Sequence, residues 1–183
     1  MATIATYKSH VSRAISFYND TPNIFFAIGR TTEWQNEDLP PDPSLEAVNL
    51  DNVISGFKRP NAMKFVVPDP ALGTLIVDGV RWREVVPDTI TYPDDTIEAA
   101  ALRVNARWIY MDVILEEDEF VNVTYRQIGI YSRGILASGV SDALDSYNLT
   151  DFDDVGILEV YQNRKPIHRQ SDQREQISFV IEF

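Results

Sequence analysis

The chain has no cysteine, which removes disulfides, thiolate metal sites and cysteine nucleophiles together. Histidine is nearly as scarce. His10 and His168 are the only two in 183 residues, and neither has a second nitrogen ligand at metal spacing, so no zinc site is expected. Positive charge is also in short supply. Sixteen Lys and Arg face 28 Asp and Glu, giving a formal net charge of −12. A phosphate backbone or an anionic membrane surface would repel such a chain at long range, so neither nucleic acid nor membrane is expected among its partners. No apolar run approaches the roughly 18 residues of a membrane-spanning helix. The opening residues MATIATYKSH lack the basic flank and apolar stretch of an export signal. These absences lead to the expectation of a protein made and folded in a reducing cytoplasm.

Catalytic patterns are missing as well. There is no Gly-rich phosphate loop and no nucleophile elbow. Asp151, Asp153 and Asp154 look superficially like a calcium loop, but the glycine and the distal glutamate it requires are absent. Among 28 acidic residues nothing singles out a catalytic pair, and Glu116–Glu119 reads as a solvated charged turn. The expectation is a protein that is not an enzyme, with no catalytic, cofactor-binding or metal-binding residue.

What the chain does have suits one sizeable core: 44% hydrophobic and 11% aromatic residues over 183 positions. The expected fold is α+β and mostly β, an antiparallel β-sandwich core with two helices in the N-terminal half. It is read as a single domain over 1–183, with a helix, strand, proline loop and second helix in 1–60 and a β-rich sandwich region in 61–183. Ile4, Tyr7, Val11, Ala14, Ile15 and Tyr18 fall at helical spacing, with Thr3 or Thr6 as N-cap. Ile24–Gly29 reads as a core strand. After Arg30 the chain becomes a stiff loop carrying Trp34, Pro40, Pro41 and Pro43. In that loop Trp34 is either an anchor onto its own domain or a contact for a partner, and the proline loop is a docking element.

Asp42-Pro43 reads as the start of the second helix, with Leu45, Val48, Ile54 and Phe57 on its apolar side and Gly56 and Pro60 ending it. Asp78-Gly79 marks a hairpin between Thr74–Val77 and Val80–Val86, with Trp82 opposite Arg81 and Arg83. Residues 88–105, including Pro93, stay open between loop, short helix and edge strand. Arg107–Leu115 and Phe120–Tyr131 read as strands, with Gly129 marking a bulge. Gly134–Asp154 reads as loop. Ile157–Tyr161 is a strand ending in a turn at Asn163–Pro166, and Glu175–Phe183 is a final strand whose last residue is on the buried face. Arg164, Lys165, His168, Arg169 and Arg174 cluster in an otherwise acidic chain. They form either a solvated turn or a cationic patch facing an acidic surface on a partner or second copy.

Three stretches, FFAIGRTTEWQNEDLPPDP, YRQIGIYS and GILEVYQNRKPIHRQSDQREQISFVIEF, occur in an order that resembles the baseplate wedge subunit of T-even-type contractile-tailed bacteriophages, the eighth-gene-product family. The likeness covers about 4–58, 105–132 and 155–183. The T-even member carries extra material that this shorter chain lacks. The resemblance implies a structural, non-enzymatic virion protein with a β-sandwich core. It implies a homodimer, seated in the tail baseplate and touching other wedge subunits and fibre-carrying proteins. Arg30, Trp34, Pro40, Pro41, Trp82, Arg164, Lys165, His168 and Arg169 are the candidate interface residues. The other reading is a carbohydrate-binding or tail-fibre attachment β-sandwich module, with Trp34 and Trp82 stacking on sugars.

Overall fold

The threonine that caps the first helix is Thr6, whose hydroxyl accepts the Ser9 N–H at 3.3 Å. The computed structural model describes residues 4–51, 54–92 and 95–183, so Thr3 and Pro93 lie outside the described residues. In chain order the elements are helix α1 (Tyr7–Asn19), strands β1 (Phe25–Gly29), β2 (Ile54–Lys58), β3 (Ala62–Pro68), β4 (Leu75–Val77) and β5 (Val80–Glu84), helix α2 (Ile97–Val104), and strands β6 (Trp108–Leu115), β7 (Thr124–Ser132), β8 (Ile135–Leu136), β9 (Phe152–Asp154), β10 (Ile157–His168) and β11 (Glu175–Glu182). The class is the expected one, α+β and mostly β with antiparallel sheets. The chain forms two compact units, each from separate segments: Met1–Thr21, Asn61–Asp112 and Ile177–Phe183 in one, Pro22–Pro60 and Val113–Gln176 in the other.

The first unit holds a sheet in the order β11-β6-β3-β5-β4. Helix α1 buries Val11, Ala14 and Phe17, while Ile4 and Tyr7, expected on its apolar stripe, are exposed. Its aromatics reach the sheet: Tyr18 meets Phe65 at 4.8 Å between ring centroids, and Phe17 meets Phe183 at 4.9 Å. Phe183 itself is half-buried just past the end of β11, its N–H donating to the Arg107 carbonyl at 3.0 Å. The hairpin turns at Asp78 (φ 50°) and Gly79 (φ 77°), the left-handed pair that a two-residue type I′ turn requires. The open stretch after residue 95 resolves as α2. Its three alanines favour helix, Thr96 caps it, and Asn105 closes it in the left-handed region.

The second unit holds a sheet in the order β10-β7-β1-β2 and the small pair β8-β9. Every residue of β1 is buried, as a strand covered on both faces should be. One face carries Phe25 and Ala27 into a cluster with Leu50, Phe57, Tyr131 and Tyr147.

Several expectations are corrected in this unit. The second helix does not form after Asp42-Pro43. The segment runs as a loop to Asp51, with a turn at Leu45 and Glu46 and with Leu45 and Val48 exposed, and Ile54–Lys58 pairs with β1. Strand pairing there overrides the helical spacing. Gly56 is not a helix end but a packing site: a Cβ there would lie 2.0 Å from a Phe120 ring carbon. The returning strand begins at Thr124, because Phe120 and Asn122 take left-handed φ values of 52° and 61° in a turn. Gly129 marks no bulge. It pairs in register with Ala27, and Leu50 and Leu158 methyls occupy the space a side chain would take.

Pro166 does not end a turn either. Strand β10 runs through Asn163–Pro166, with its register slipping between Asn163 and Ile167. An edge strand with a bulge is where a proline, lacking an N–H, can sit in a sheet. Finally, the acidic turn is not wholly solvated, since Glu119 is buried against Lys58 as an ion pair.

Candidate interaction surface

Residues 31–51 form a strap across the edge strand β10 and its neighbour β7, and its residues are mostly exposed. It begins at Arg30, held at φ 57°. From there the guanidinium reaches three places: over the Trp34 ring at 3.6 Å, to Asp51 at 3.0 Å, and to the Glu33 carbonyl at 3.4 Å. Trp34 is 8% exposed, and its indole N–H donates to the Arg164 carbonyl on β10 at 3.0 Å. Of the two roles open to Trp34, the structure assigns the internal anchor, with its polar tip satisfied and its ring covered by a cation.

Polar side chains on β7 and β10 hold the rest of the strap. Arg126, buried, grips the Glu37 carboxylate through Nε at 2.9 and 3.0 Å and donates through Nη1 to the Thr31 carbonyl at 2.7 Å. That guanidinium holds the Glu37 carboxyl below the usual glutamate range, and the same pairing raises Arg126. Gln127 accepts the Asp51 N–H at 2.7 Å and donates to Asn163 at 2.7 Å, while Asn163 donates to the Pro41 carbonyl at 2.9 Å. Tyr161 accepts the Ser44 N–H and donates to the Ser44 carbonyl. At the far end the Tyr131 hydroxyl, its pKa raised by burial, accepts the Leu50 N–H at 3.0 Å.

The predicted residues therefore separate. Arg30, Trp34, Pro41, Arg164 and Lys165 meet on the strap and β10, with Lys165 exposed and 3.4 Å from Asp38. Pro40 is half-buried and Pro41 exposed. The Arg164 guanidinium lies 5.8 Å above the Tyr125 ring. His168 is exposed, its Nδ1 2.9 Å from the Thr124 hydroxyl. Arg169 is 1% exposed and leaves the expected surface cluster altogether. It donates to the carbonyls of Glu116, Glu119 and Gln173 and to the Glu175 carboxylate. Arg174 is paired with Glu116 at 3.0 Å. A continuous cationic patch does not form from these residues.

Trp82 belongs to the other unit. It is 9% exposed and packs with Val66, Val77 and Tyr110, with Trp108 at 5.9 Å. The strap's fasteners Glu37, Asp51, Arg126, Gln127 and Tyr161 were invisible to sequence reasoning. Each looks like an ordinary surface residue until the topology sets residue 37 beside 126.

A family model described as "Baseplate wedge 3 tail fiber network component" matches residues 1–183. "Virion protein 3" of Enterococcus phage phiEF24C is 30% identical over 182 residues, covering 97% of this chain and 93% of that protein.

Proposed function

We propose a specific holding role from one premise: the chain belongs to the family of baseplate wedge 3 tail fiber network components. It is a structural phage protein of the baseplate, associated with other baseplate proteins. Our reading adds that it sits in the wedge of a contractile tail as a homodimer. There it joins neighbouring wedge subunits to fibre-carrying proteins and performs no catalysis. The whole-chain family match carries this reading. The architecture supports it. A mostly exposed loop braced at both ends by Trp34 and Tyr131 is a rigid surface of the kind that assembly contacts use. Two buried charges are neutralised within the fold, Lys58 by Glu119 and Arg169 by Glu175.

The carbohydrate-binding alternative needs open tryptophan faces. With Trp34 at 8% and Trp82 at 9% exposure, neither ring offers a stacking platform. The test is a phage lacking this gene product. Particles with tails but disorganised baseplates and no attached fibres are expected. Intact, fibre-bearing baseplates would refute the role.

A further inference from the structure

We infer that Leu39–Pro43, with Leu45 and Val48 beside it, is a preformed polyproline-type ligand. Its occupant is a groove on a different baseplate protein, lined by aromatic rings and rimmed by Lys or Arg. The inference rests on the structural baseplate reading above and names the partner chemistry.

Backbone chemistry comes first. Proline fixes φ near −65° at Pro40, Pro41 and Pro43. Leu39, Pro40 and Asp42 each precede a proline, which drives them to extended ψ. These restrictions favour polyproline II geometry along 39–43, a conformation without internal hydrogen bonds, and among the described residues only the Pro41 carbonyl is taken up by a side chain of the fold, that of Asn163. Both ends are pinned, upstream by the Trp34 indole on β10 and downstream by Tyr161 on Ser44. Such a segment loses little entropy when a groove closes on it.

The strap also displays apolar groups that its own fold does not use. Leu39 is 75% exposed, Val48 79%, and Leu45 fully. Polyproline ligands with an apolar neighbour dock between aromatic side chains. The charge then selects the rim. Residues 31–51 contain six Asp and Glu and no Lys, Arg or His. Glu37 and Asp51 are neutralised by Arg126 and Arg30, and Asp38 faces Lys165. Glu33, Asp42 and Glu46 have no ion-pair partner among the described residues. A second copy of a chain carrying −12 is repelled from this surface, whereas a cationic rim is drawn to it.

The test places the photocrosslinker p-benzoyl-phenylalanine at Leu39 or Leu45 in phage, irradiates intact virions and maps the cross-link by mass spectrometry. The expected product joins this chain to a different virion protein, at aromatic residues flanked by Lys or Arg. Leu39→Ser and Pro40→Ala/Pro41→Ala proteins that melt like wild type should bind that purified protein about tenfold more weakly. Cross-links to a second copy, or to a surface without aromatic and basic residues, would overturn the inference. So would failure to cross-link in virions that contain the chain, or wild-type affinity in both variants. Absence of the chain from purified virions would instead overturn the baseplate reading on which it rests.

Discussion

At the scale of single residues, the strap depends on groups whose removal has distinct signatures. Trp34→Ala deletes a buried ring, its hydrogen bond to Arg164 and the surface on which Arg30 lies. A loss of about 3 kcal/mol in urea unfolding is expected, with new proteolytic cuts within 31–51. An unchanged midpoint would move Trp34 out of the core. Arg169 ties three carbonyls and one carboxylate together around the 116–123 turn. Arg169→Met removes all four bonds, leaving the Glu175 carboxylate only its bond from the Tyr125 hydroxyl, and should cost about 3–5 kcal/mol. Glu37 gives a pH signature. Its folded pKa is depressed by Arg126, so the pair's stabilisation is complete above the ordinary glutamate value of about 4.3 and fades as pH falls through the lower folded value. Hydrogen-exchange protection of the Leu50 amide should hold from pH 7 to pH 5 and drop only in stronger acid. In Glu37→Gln it should be weaker throughout.

At the scale of elements, what could be read from the sequence was what local chemistry dictates. Thr6 capping α1, the Asp78-Gly79 hairpin and the alternation of Ile109, Met111, Val113 and Leu115 all depend on residues a few positions apart. The misread elements depend on partners far along the chain. Leu45, Val48, Ile54 and Phe57 have helical spacing, yet Phe57 is buried by pairing with Ala27 while Leu45 stays in solvent. Gly56 and Gly129 look like punctuation but are spaces filled by Phe120, Leu50 and Leu158. The nine candidate interface residues divide for the same reason. No local signal distinguishes exposed Lys165 from buried Arg169 four positions later. Strand β11 offers an element-level prediction. Deleting Val180–Phe183 removes Ile181 from the core and the Phe17–Phe183 contact. The melting temperature should fall by at least about 5 °C, and unchanged melting would show that this end of the strand does not matter to the fold.

At the scale of the whole molecule, a net charge of −12 governs association. The proposed homodimer should appear in solution at twice the 20.8 kDa chain mass. Because burial of Arg169 and pairing of Arg174 break up the cationic patch that is one of the two readings of this cluster, screening should strengthen the dimer, and raised salt should tighten it. Dissociation by salt would point to an ionic interface instead. The most direct measurement is a cryo-electron-microscopy reconstruction of the intact virion baseplate. Density for this chain in the wedge, with residues 39–48 seated against a different protein, is the predicted result. A fully assembled baseplate in which no density fits this chain would contradict it.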